Sequence, residues 1–191
     1  MEIPKSIYVA LFTLTASIGV VFGLIASLQD ELGFADGILG LIAASAFFSA
    51  VVAQLVLAPL ADQGHTKVLM TGAIVIAALG SFWFAVASSA WELILARVST
   101  GLGIGAFAPA ARAVVANADT SRAGERLGRL TAVETSGFVA GPVVGAFINE
   151  VWGLKAPFLT FSCALILILP CLLYTSPSPR DMRRSRMPSS A

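Results

Sequence analysis

An all-α, polytopic membrane fold with six transmembrane helices is predicted by three observations. The 191 residues are 57% hydrophobic and only 12% charged, with a mean hydropathy of +0.87, more apolar surface than a soluble domain of this length could bury. The apolar residues gather into six runs, each of about the 20 residues that cross a bilayer as a helix. The links between runs are short, and their charge alternates in sign. A net charge of +1 gives no reason to expect a nucleic-acid partner.

The first run extends approximately from Tyr8 to Leu28. It has no small-residue cleavage site behind it and further spans follow, so it is expected to be a first helix and not a removed signal peptide. Thr15, Gly19, Gly23 and Ser27 recur along it at four-residue spacing, a small-residue face that turns into the protein for packing or to line a path. The second run is Gly37 to Leu60. The third, Val68 to Ser88, carries Gly72 and Gly80 without a stripe and reads as lipid-facing scaffold. Leu93 to Ala116, Leu130 to Ile148 and Ala156 onward complete the set.

Lys5, Lys67, Arg122, Arg126 and Arg129 fall in the amino terminus and in alternate loops, while Asp30, Glu31, Asp36, Glu92 and Glu150 fall in the others, with Lys155 as their only base. The positive-inside rule then predicts that the amino terminus and the second-to-third and fourth-to-fifth loops face the cytoplasm, and a multi-pass protein of the cell membrane is expected. Trp91 and Trp152 lie at the opposite ends of spans, where aromatic belts form.

Charged and small residues inside the spans are the candidates for function. In the fifth, Gly137, Gly141 and Gly145 step by four and share one side of the helix, with Pro142 removing a helical hydrogen bond in their midst. In lipid such a groove lets a neighbouring backbone approach closely. In the fourth, Arg97, Gly101, Gly105 and Pro109 take the same spacing. An arginine within a span costs about 2.5 to 3.5 kcal/mol on insertion scales and marks function by default. The competing reading is snorkelling, since Arg97 lies six residues inside Trp91, roughly 9 Å of helix. Arg112 and Glu134 are equidistant from a loop centred near Ala123, so an antiparallel hairpin sets them at similar depth, where they could pair. Glu134 is the one acidic residue clearly within a span, and is either structural or a proton carrier.

Other chemistries find little support. His65 is the single histidine and has no carboxylate or thiol company suited to a metal; a solvated loop residue is the plainer reading than a relay. Cys163 lies within an apolar run and Cys171 beyond it, so no disulfide framework is expected. An intramembrane enzyme would need a base beside Ser136, and no histidine lies within the spans. Neither cofactor nor metal is expected.

Three motifs resemble those of the major facilitator superfamily. Gly137-Phe138-Val139-Ala140-Gly141-Pro142-Val143-Val144-Gly145 is similar to the fifth-span motif of its proton-coupled antiporter branch. Arg97 to Pro109 is similar to the fourth-span motif, with Thr100 where a glutamine is common. Ala58 to Val68 is a partial match to the signature loop between spans two and three, with Ala58 in place of a glycine and Gln63 in place of an arginine. The resemblance implies that Asp62 and Lys67 tie helices together on the cytoplasmic side and gate inward opening, with Arg112 able to join Asp62 in that network. It also implies two three-helix repeats of inverted topology, Ala58-Pro59 and Gly141-Pro142 taking corresponding places.

The resemblance covers about Ile7 to Pro170, the amino-terminal half of a twelve-helix transporter. Cys171 to Asp181 resembles a translated transposase adapter from short-read library construction, and Ser185 to Ala191 the flow-cell sequence beyond it. A native sixth helix cut short at Pro170 and a non-native 171–191 are therefore expected, against the alternative of a basic, Pro/Ser-rich tail. The function implied is secondary transport by alternating access, as proton-coupled efflux of a small molecule, with protons, the bilayer and an absent carboxyl-terminal six-helix half as partners. An importer or exporter of another small solute, or a six-helix homodimer, are the alternatives.

Overall fold

A long apolar segment in lipid has no outside partner for its amides, so it must satisfy them within itself, as a helix. The computed structural model describes residues 4–118 and 120–175. In order these form α1 (Lys5–Gly23), α2 (Ile25–Leu32), α3 (Asp36–Asp62), α4 (Thr66–Val86), α5 (Ala90–Ala118), a 3₁₀ turn (Thr120–Arg122), α6 (Ala123–Trp152) and α7 (Ala156–Thr175). All but the short α2 and the turn are long and apolar enough to span a bilayer, matching the six expected runs.

The first run differs from its expected single helix. It breaks at Gly23, and Leu24 leaves helical geometry at φ −115° and ψ 8° before α2 begins. Glycine costs about 1 kcal/mol relative to alanine within a helix, and a Cβ at Gly23 would strike the Pro142 carbonyl of α6. The helix ends where that backbone occupies the side-chain space. α2 then closes on Gly33, whose φ of 66° lies in the left-handed region that favours glycine.

α1 packs along α6, α3 along α5, and α4 against both α5 and α7. The first helix of each three-helix unit thus pairs with the second helix of the other, the exchange that two related repeats produce. α5 is gripped on two sides by small residues. Gly101 and Gly105 meet Ala46 and Ala50 of α3, and Gly103 lies where a Cβ would be 2.7 Å from the Ala77 Cβ of α4.

That contact corrects the reading of the third span as lipid-facing scaffold. A Cβ at Gly80 would come within 2.9 Å of the Ala96 carbonyl and the Ser99 Cβ of α5, and Met70, Ala73, Ile74, Ala77 and Phe84 are buried. The close-packed stripe of α4 is built mainly from alanines, so glycine spacing did not reveal it. Elsewhere α3 and α7 keep large apolar side chains outward, including Phe48, Leu55 and Leu167, a surface suited to lipid or another membrane helix. α7 continues through Pro170 and buries Leu172 in the core; residues 176–191 of the adapter-like tail lie outside the described residues.

Candidate functional site: a cavity walled by an ion pair

Pro142 removes the helical donor for the Phe138 carbonyl four residues earlier, and that carbonyl lies against Gly19 of α1, where a Cβ would stand 2.5 Å away. The rest of the stripe behaves alike. A Cβ at Gly137 would strike Thr15 Oγ1 and the Phe12 carbonyl, one at Gly141 the Ala16 carbonyl, and one at Gly145 would sit 2.9 Å from Val20 Cγ1. The glycines expected to form a groove therefore bring α6 into backbone contact with α1.

Beside this contact α1, α3, α5 and α6 enclose an open cavity of about 420 Å³, lined by Thr15, Phe47, Gln54, Arg112, Glu134 and Phe138 among others. Arg112 Nη2 donates to Glu134 Oε2 at 2.8 Å, as their equal depth suggested. The side chains remain 40% and 25% exposed, so both face the cavity and neither is sealed in the protein. Arg112 also borders a crevice of about 680 Å³ that Asp62, Pro59 and Pro109 line.

An aromatic cluster caps part of the wall. Phe22 of α1, Phe47 of α3 and Phe138 of α6 have ring centroids 5.8, 5.7 and 5.9 Å apart in the three pairings, in the tilted and edge-on geometries that aromatic quadrupoles favour. Sequence reasoning missed this trio, because the rings come from three separate spans and no local spacing connects them.

Arg97 does not snorkel. It is 2% exposed, and its Nη2 donates to the Ile18 carbonyl of α1 at 3.1 Å, binding α5 to the cavity-side helix. Its Nε has no hydrogen-bond partner.

The signature-loop residues are less connected. Asp62 is exposed at the end of α3 and Lys67 half-buried in the first turn of α4. No ion pair involving either is present among the described residues, and Arg112 is paired with Glu134 and not Asp62. The link itself is tight: Gly64 turns at φ 91°, and the His65 amide donates to the Leu60 carbonyl at 3.2 Å. His65 is exposed there, and no group of three metal-ligating side chains occurs among the described residues.

The profile of the Major Facilitator Superfamily matches residues 7–189. The chain belongs to this superfamily. Among curated proteins, this superfamily member is 27% identical over 146 residues to the quinolone resistance protein NorA of Staphylococcus aureus (strain MRSA252), covering 76% of this chain and 38% of that protein. It is 29% identical over 137 residues to the multidrug resistance protein MdtG of Klebsiella pneumoniae (strain 342), covering 71% of this chain and 32% of that one. The chain thus spans well under half the length of either relative. Its fold matches the inward-open xylose transporter XylE of E. coli with a TM-score of 0.75 at 16% identity, over 95% of this chain and 49% of that one.

Proposed function

We propose that this chain is the amino-terminal six-helix half of a secondary transporter that exports small molecules by alternating access, in exchange for protons. It works with a second six-helix half in the cell membrane, its amino terminus cytoplasmic. The observation that carries the reading is the cavity bordered by the Arg112–Glu134 pair. A solute-sized cavity between helical repeats is an arrangement that alternating access uses. The names of two relatives, a quinolone resistance protein and a multidrug resistance protein, support efflux as the direction, and the tight α1–α6 contact at Gly137, Gly141, Pro142 and Gly145 supports the antiporter branch.

In this reading Glu134 exchanges a proton, and releases or takes up Arg112 as it does so. Gly101 and Gly105 hold α5 close against α3, and Arg97 orients α5 toward Ile18 of α1. Asp62 and Lys67 act at the cytoplasmic link and engage partners only in another state of the cycle. The chain joined to its downstream helices should lower intracellular accumulation of a fluorescent lipophilic dye, and Glu134→Gln should abolish the dependence on a proton gradient. Dye export that persists in the variant and still collapses with a protonophore would remove Glu134 from the coupling role. Export by the 191-residue chain alone would favour the homodimer reading.

A further inference from the structure

The surface between the starts of α1 and α6 has a charge pattern that the cavity beside Arg112 and Glu134 does not use. A hollow of about 660 Å³ is lined by Pro4, Lys5 and Tyr8 on one side and Arg122, Glu125, Arg126 and Arg129 on the other. Arg122, the N-cap of α6, and Glu125, Arg126 and Arg129 within it stand at i, i+3, i+4 and i+7, one helix face. Four bases and one acid are among the described lining residues; Glu125 Oε1 accepts from Arg129 Nη2 at 2.6 Å and Arg126 is itself engaged, so Lys5 and Arg122 are the bases that carry the site. Lys5 and Arg122 are exposed.

The apolar continuation of the site is on the same helix. From Lys5, the next positions on its face of α1 are Val9 and Phe12, 52% and 38% exposed, so cationic side chains pass into bare hydrocarbon within two turns. Tyr8, with an apolar ring and a polar tip, suits the boundary between the two. A soluble anion would use the bases and leave Val9 and Phe12 bare; an anionic phospholipid fits both parts, with its phosphate among the guanidinium groups and its acyl chains along α1.

We propose that this hollow is a binding site for the headgroup of an anionic phospholipid, which bridges the starts of α1 and α6. The site requires only that these helices sit in a bilayer, and stands whether or not the chain exports drugs. Each base near a membrane surface contributes about 1 kcal/mol toward anionic lipid, so losing one should weaken binding about fivefold and losing two about twenty-five-fold.

The test is titration of the purified 191-residue chain, in a neutral detergent, with phosphatidylglycerol, phosphatidylcholine and inorganic phosphate, followed by thermal unfolding and by the lipid retained in native mass spectra. Phosphatidylglycerol should bind and raise the melting temperature, Arg122→Gln should weaken it about fivefold, and Lys5→Gln with Arg122→Gln about twenty-five-fold. Lys67→Gln, an equal charge change outside the hollow, should leave it unaltered. Should Arg122→Gln fail to fold, Lys5→Gln alone, at an exposed helix start, carries the comparison. An equal loss in Lys67→Gln would mean diffuse attraction. Phosphatidylcholine binding as tightly, or displacement of the lipid by millimolar phosphate, would likewise overturn the proposal.

Discussion

Arg112 Nη2 and Glu134 Oε2 lie 2.8 Å apart, pinning α5 to α6 at the wall of the cavity. Glu134→Gln should destabilise the helix bundle by about 1 to 3 kcal/mol, above an exposed pair and below a fully buried one, because it leaves a half-buried guanidinium without its counter-charge. Adding Arg112→Gln should restore part of the loss. Thermal unfolding of the two single variants and the double provides the cycle; additive losses would mean that the pair is not coupled.

Gly141→Leu should be far more damaging than Gly72→Leu. The first puts a side chain into the Ala16 carbonyl, whereas a Cβ at Gly72 has nothing within 4 Å. Overpacking of a close interface costs about 1 to 3 kcal/mol, and under the proposed alternating access such a cost falling on one of two states would shift their balance about five- to 150-fold. Unfolding temperature of the chain and, under the proposed function, efflux and passive leak in vesicles carrying it joined to a second six-helix half should separate the two. Equal behaviour would reduce the stripe to ordinary packing.

Gly80→Leu should resemble Gly141→Leu and not Gly72→Leu, although Gly72 and Gly80 share one helix. Its Cβ would press on the Ala96 carbonyl and Ser99 of α5. Measured by folded yield in detergent, a tolerated Gly80→Leu would contradict the α4–α5 contact.

Arg97→Met should leave the bundle as stable as before or more so and, under the proposed function, still reduce transport when the chain is joined to a second six-helix half. The buried guanidinium keeps its Nε unpartnered, and an unbranched apolar side chain fills much of its volume without the roughly 2.5 to 3.5 kcal/mol of inserting an arginine. Melting temperature and efflux are to be compared at equal membrane abundance. A large loss of stability would make Arg97 a structural anchor through Ile18, and unchanged efflux would remove it from the transport machinery.

The sequence by itself determined the number of spans, their approximate limits and the two clearest contact stripes. Those follow from local quantities: the apolar length needed to cross a bilayer, and the 3.6-residue period that puts Gly137, Gly141 and Gly145 on one side. It also brought Arg112 and Glu134 to one depth, because a short hairpin leaves little freedom in register. Only the tertiary structure decided the rest. The need for glycine at position 23 depends on the Pro142 backbone arriving from more than a hundred residues away. The burial of Arg97 depends on where Ile18 lies, since spacing along α5 allowed both an inward and a snorkelling side chain. The α4 stripe escaped notice because alanine packs closely too, and the Phe22–Phe47–Phe138 cluster because its members come from three helices. Periodicity tells which side of a helix is small or apolar; which neighbour fills that side is settled by packing all the helices at once.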